Sequence, residues 1–176
     1  MKQDVDIVTK FQDVLIKNNY NDEYYMNLAL DEARLAYNEE EVPVGCVIVK
    51  DGNILARTHN TRHKVKSALN HAEINAINLA CEKIDSWILE GATLYVTLEP
   101  CIMCAGAIIQ ARIKKVVYAA AEPKFGAAES VLNIFNHLEY KFNHEVEVVS
   151  GILKEESTEL IKSFFKELRN KNKPIK

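Results

Sequence analysis

Two short clusters in this chain carry residue types that bind metal and move protons. The first is His71-Ala72-Glu73, and the second is Pro100-Cys101-Ile102-Met103-Cys104. One imidazole and two thiolates make three protein ligands suited to Zn²⁺, and three ligands leave a fourth coordination position open. That is the pattern of a catalytic zinc and not of a structural one. No fourth ligand lies at a conventional spacing, and Cys46 and Cys81 qualify only if the fold brings them close. Zinc in an open site lowers the pKa of its water to about 7, so hydroxide is available at neutral pH. Glu73 stands beside this set as a proton carrier: it would take a proton from the water, deliver it to the substrate and help the leaving group depart. A second His-x-Glu, His137-Leu138-Glu139, has nothing metal-like after it, so the assignment to His71 rests on the cysteine pair.

The elements around these clusters must converge on one cation. A small-residue-rich helix is predicted over Cys101–Arg112, and Pro100 suits its start because the missing N–H is no loss there. Cys101 and Cys104 then share one helical face in the first turn, where the helix dipole favours thiolate. His71 begins a second predicted helix, to Glu82, with Ala76, Ile77 and Ala80 inward. Upstream, Val5, Val8, Phe11 and Leu15 recur at near-helical spacing, and Met26, Ala29, Leu30, Ala33, Ala36 and Tyr37 form the apolar face of a helix over Glu23–Glu40. Val42–Val49 and Asn53–Thr58 read as a hairpin around the turn signal Asp51-Gly52. Strands follow at Ala92–Leu98, Lys114–Ala120 and Glu145–Val149. A loop over Pro123–Asn133 leads toward a short helix, and Lys154–Asn170 forms a closing helix with Leu160, Phe164 and Leu168 on one stripe. Strands alternating with helices imply an α/β layer sandwich, and the opening hairpin makes its five-stranded sheet mixed.

A chain of 176 residues accommodates one domain, here 23–170, with an N-terminal extension over 1–22 and a basic tail over 171–176. With Lys plus Arg at 22 against Asp plus Glu at 25, the formal net charge of −3 excludes nucleic-acid binding by global charge, so such binding must rest on local patches. No apolar run is long enough for a signal peptide or a membrane span, which implies a soluble cytoplasmic protein with no membrane partner. In a reducing compartment metal use of the close cysteine pair is favoured over a disulfide, while Cys46 and Cys81 read as small buried hydrophobes.

His-x-Glu followed by Pro-Cys-x-x-Cys is the known signature of zinc-dependent nucleobase deaminases, so the pattern here is a match and not a new motif. The resemblance extends further. Glu41-Val42-Pro43-Val44-Gly45, Thr93–Ala107, Lys124-x-Gly126-Ala127-Ala128, Asn143-His144 and Gly151-Ile152-Leu153 resemble the TadA-type tRNA adenosine deaminases over roughly Glu23–Arg169. That resemblance implies a three-layer α/β/α cytidine deaminase-like fold and a homodimer holding a tRNA anticodon stem-loop. The wobble adenosine would be flipped out and converted to inosine. It further implies that Asn60 hydrogen-bonds the base, that Val42, Pro43 and Leu98 line its pocket, that the Ala72 amide helps hold the ring, and that Phe164 and Phe165 lie near the RNA. On patterning alone, Val42, Pro43 and Leu98 read as core, and the two phenylalanines are as readily packing residues as RNA contacts. Glu122, Phe125, Glu129 and Asn70 depart from the family pattern without touching the metal set.

Two basic clusters suit phosphate. Arg57, Arg62, Lys64 and Lys66 lie in a loop with His59 and His63 and no acid between them, and Lys162–Lys176 holds six basic residues against Glu167 alone. Two other readings remain: a free-base deaminase acting on guanine or cytosine, and a zinc-bearing partner subunit that only positions RNA. The intact Glu73 argues against the latter.

Overall fold

A computed structural model describes residues 20–136 and 142–171. The amphipathic segment Val5–Leu15, the His137-Leu138-Glu139 string and the end of the basic tail, with Lys173 and Lys176, lie outside the described residues.

Helix α1 spans Asp22–Asn38, and Asn21 caps it by accepting from the Tyr24 N–H at 2.9 Å. Met26, Ala29, Leu30, Ala33 and Ala36 form its buried stripe, as their spacing predicts. Strands β1 (Gly45–Lys50) and β2 (Asn53–His59) pair antiparallel across Asp51 and Gly52, whose φ angles are 50° and 74°. A two-residue hairpin of this hand needs positive φ at both positions, which explains the Asp-Gly pair. Val42–Val44, expected as strand, precedes β1 as a turn closed by the Val44 N–H on the Val42 carbonyl at 2.8 Å. Pro43 there has no N–H to give a ladder.

The polar stretch after β2 holds a helical turn, α2 (Arg62–Val65), where an irregular loop was expected. Helix α3 (Ala72–Ile84), strand β3 (Thr93–Leu98), helix α4 (Ile102–Gln110), strand β4 (Lys115–Ala120), strand β5 (Glu147–Ser150) and helix α5 (Lys154–Lys171) complete the order. No short helix follows Pro123–Asn133 through Asn136; turns occupy those residues.

The sheet runs β2-β1-β3-β4-β5, with β1 antiparallel to both neighbours and β3, β4 and β5 parallel. Helices cover both faces, giving the three α/β/α layers. Strand β1 is buried on both sides, and its period of two divides the core. Cys46 and Ile48 join Ala76, Ala80 and Ile108 on the face of α3 and α4, while Val47 and Val49 join Met26 and Ala29 beneath α1. Asp22 locks the start of α1 to the sheet, accepting from the Tyr95 hydroxyl and from Lys115 Nζ, each at 2.9 Å. The crossover from β3 through α4 to β4 leaves the C-terminal end of β3 and the N-termini of α3 and α4 around one cleft.

Candidate active site

His71 and Cys101 are the N-cap residues of α3 and α4. Both have extended backbone, with φ/ψ of −72°/155° and −74°/172°, and neither side chain makes a capping bond. The side chains therefore stay available as ligands, at the positive ends of two helix dipoles. This refines the helix start read from Pro100. Cys101 is held extended by a bridge to Gly126, so Pro100 lies outside the helix and the cysteines occupy the N-cap and third helical positions.

The donor atoms of His71, Cys101 and Cys104 all lie within 4.8 Å of one another. His71 Nδ1 is 3.7 Å from Cys101 Sγ and 3.5 Å from Cys104 Sγ. A tetrahedral ion with N and S ligands at their usual 2.0–2.1 and 2.3 Å would hold such atoms about 3.6 Å apart. The three residues thus fit a metal ion by donor type and by spacing, and they form the only such group among the described residues. Cys46 and Cys81 stay outside it as free thiols, Cys46 fully buried in β1. Hydrogen bonding from Cys104, then from His71, pulls the Cys101 thiol down to about 4, and the same contact pushes Cys104 up. The contact thus favours the thiolate at Cys101, the form in which a cysteine binds metal.

Glu73, in the first turn of α3, is 4% exposed and faces the same cleft. Burial raises its carboxyl above the ordinary carboxylate range. The cleft has a volume of about 410 Å³. Val42, Asn60, Ala72 and Leu98 line it with His71 and Cys101, whereas Pro43 is buried and Val44 takes the neighbouring place on the wall.

Asn60 is fixed by Glu41, a carboxylate with no exposed surface. Glu41 Oε2 accepts from Asn60 Nδ2 at 3.0 Å and Oε1 from the Lys64 N–H at 2.7 Å. With its N–H₂ engaged on Glu41, Asn60 keeps its amide oxygen as an acceptor. Glu99 plays a comparable part on the opposite wall. Its Oε1 accepts from the amides of Ala128, Glu129 and Ser130 at 3.1, 2.8 and 2.9 Å, and its Oε2 from the Glu122 amide at 2.9 Å and from the Ser130 hydroxyl. Burial alone would raise the Glu99 carboxyl, but the Ser130, Glu122 and Glu129 donors outweigh it and hold it below its usual value. Gly126 lies against this carboxylate so closely that a Cβ would overlap Glu99 and the Glu122 carbonyl. Sequence reasoning missed both acids as site residues. Each stood within a motif string, but nothing local marks a carboxylate that serves a distant loop.

Phe164 is buried and meets Tyr37 and Phe165 edge-to-face at 5.5 and 5.4 Å. Both phenylalanines border a second groove of about 860 Å³ with His63, Lys64 and Lys171, and Val42 is common to this groove and the cleft. The basic loop is less free than its sequence implies. Arg57 and His59 reach Glu32 at 3.1 Å, and Lys64 reaches Glu39 at 3.0 Å, all acids supplied by α1 and its end. Arg62, on the cleft wall, has no ion pair among the described residues.

Residues 20–169 match the family model described as MafB19-like deaminase. The chain is 49% identical over 152 residues to the tRNA-specific adenosine deaminase of Bacillus subtilis, covering 86% of this chain and 93% of that one. It is 46% identical to the protein of the same name from Aquifex aeolicus, covering 84% and 96%. Among solved structures, a tRNA:A34 deaminase studied for A-to-I editing at the wobble position matches with a TM-score of 0.74 and 45% identity, over 78% of this chain and 98% of that one. A Bacillus subtilis guanine deaminase matches with a TM-score of 0.57 and 32% identity, over 89% and 99%.

Proposed function

The chain belongs to the tRNA-specific adenosine deaminase family, and from that premise we propose that it hydrolyses adenosine to inosine at the wobble position of a tRNA anticodon. The observation that carries this reading is the convergence of His71, Cys101 and Cys104 with buried Glu73 in one cleft of nucleoside size. His71, Cys101 and Cys104 would hold Zn²⁺, whose Lewis acidity makes water nucleophilic at neutral pH.

The remaining steps belong to this chain's own side chains. Glu73 accepts the proton of the attacking water and delivers it to a ring nitrogen of the base. It then supplies a proton to the departing amino group, which leaves as ammonia while the C6 oxygen remains. Asn60, oriented by Glu41, hydrogen-bonds the base, the Ala72 amide helps hold the ring, and Val42 and Leu98 exclude water around it. The flipped nucleotide is the form such a cleft can take, since a base inside a stacked helix cannot reach Glu73.

The reading also assigns the enzyme to the cytoplasm and to a homodimer. No described helix is long and apolar enough to cross a membrane. Free guanine or cytosine as substrate is the less supported alternative, given the lower identity and TM-score of the guanine deaminase match.

The test is inosine formation by purified, zinc-loaded protein on an anticodon stem-loop with adenosine at the wobble position, with guanine and cytosine alongside. Inosine in the RNA, abolished by a chelator and restored by zinc, is the expected outcome. Ammonia from a free base with the RNA untouched would move the enzyme to nucleobase chemistry.

A further inference from the structure

Phe125 is the most exposed large apolar side chain of the described residues, at 71%, and it stands on the wall of the catalytic cleft. Three hydrogen bonds brace its loop. The Glu122 amide is held by Glu99 Oε2, the Lys124 amide by Glu122 Oε1 at 2.9 Å, and the Gly126 amide by the Glu122 carbonyl at 2.9 Å. Gly126 itself bridges to Cys101, a metal-ligating residue. An aromatic ring is therefore presented to water on a loop bridged to Cys101.

A cleft of about 410 Å³ lies near the low end of the range for small-molecule sites, about 300–1,000 Å³, and takes one nucleoside. The nucleotides on either side must lie at its mouth. There Phe125 offers an aromatic face, and Arg62, on the same cleft, offers a cation without an ion pair among the described residues. Aromatic faces hold unpaired bases by stacking, at about 1–3 kcal/mol per base. We propose that Phe125 stacks on the base of a nucleotide adjoining the edited adenosine, which makes it a substrate-positioning residue of this enzyme. The proposal rests on the tRNA reading above.

The test compares wild type, Phe125→Ala and Phe125→Trp, each full-length and zinc-loaded. The substrates are an intact anticodon stem-loop and two versions lacking the base 5′ or 3′ of the edited adenosine. On the intact stem-loop Phe125→Ala should lower kcat/KM about 5- to 150-fold, and Phe125→Trp should restore it. Removing the stacked base should cost the wild type a comparable factor and cost Phe125→Ala nothing further. Zinc content and thermal midpoint should not change, since the ring is exposed. Editing of the intact stem-loop by Phe125→Ala at the wild-type rate overturns the proposal. So does an equal proportional loss on intact and base-free substrates, the result expected of a structural or subunit contact. A stem-loop left unedited by the wild type overturns this proposal together with the tRNA reading, whereas a wild-type rate for Phe125→Ala overturns this one alone.

Discussion

Asn60 and Glu41 form a buried pair, joined by Nδ2 and Oε2 at 3.0 Å, in which a fully enclosed carboxylate aims an amide into the catalytic cleft. The other Glu41 oxygen holds the Lys64 amide, so one acid sets both the Asn60 amide on the cleft wall and the helical turn beside it.

Glu41→Ala strips Asn60 of its buried partner. A hydrogen bond to a charged group contributes about 1.5–3 kcal/mol, and an unsatisfied donor adds its own cost. Stability should fall by about 2–4 kcal/mol in chemical denaturation, and KM for the stem-loop should rise more than kcat falls. Unchanged KM in a folded variant would remove Asn60 from base binding.

Glu73→Gln preserves shape and removes the proton carrier. General acid–base catalysis contributes about 10²–10⁴-fold, so kcat should drop by that factor while zinc per chain, measured by elemental analysis, stays at the wild-type value. A variant that turns over at the wild-type rate refutes the assigned role.

Glu99 predicts a specific acid sensitivity. Its folded-state pKa is lowered, so its stabilising effect is full above the unfolded value of about 4.3 and is lost as pH falls through the folded value. Glu99→Gln replaces an acceptor by an amide facing the donors of Glu122, Ala128, Glu129 and Ser130. It should lower stability by about 2–3 kcal/mol at neutral pH. Thermal midpoints of wild type and variant, recorded side by side, should converge as the pH drops below about 4. A constant gap across that range would show that the charge of Glu99 contributes nothing.

The parts of this protein legible in its sequence are those governed by neighbours along the chain. Asp51-Gly52 marks its hairpin because two consecutive positive φ angles need residues that tolerate them. The stripe Met26, Ala29, Leu30, Ala33 marks its helix by period alone. His71, Cys101 and Cys104 are recognisable as a group that could hold a metal ion, with Glu73 beside them, because such a group needs fixed residue types at short spacings. The helix expected from Cys101 starts one residue later, at Ile102, since Cys101 is held extended by Gly126, a partner far along the chain.

What tertiary structure alone decided is how charge and space are shared between distant segments. Arg57, His59 and Lys64 look like free cations in a loop without acids, yet the fold sets Glu32 and Glu39 against them, while Arg62 is left facing the cleft. Glu41 and Glu99 look like surface acids, yet burial turns them into acceptors for loops that sequence places elsewhere. The reason is that a buried carboxylate must find donors wherever the packed chain brings them, and that pairing is set by the sheet order and crossovers and not by residue type. The sequence by itself determined which atoms can do the chemistry; only the fold determined which neighbours hold them still.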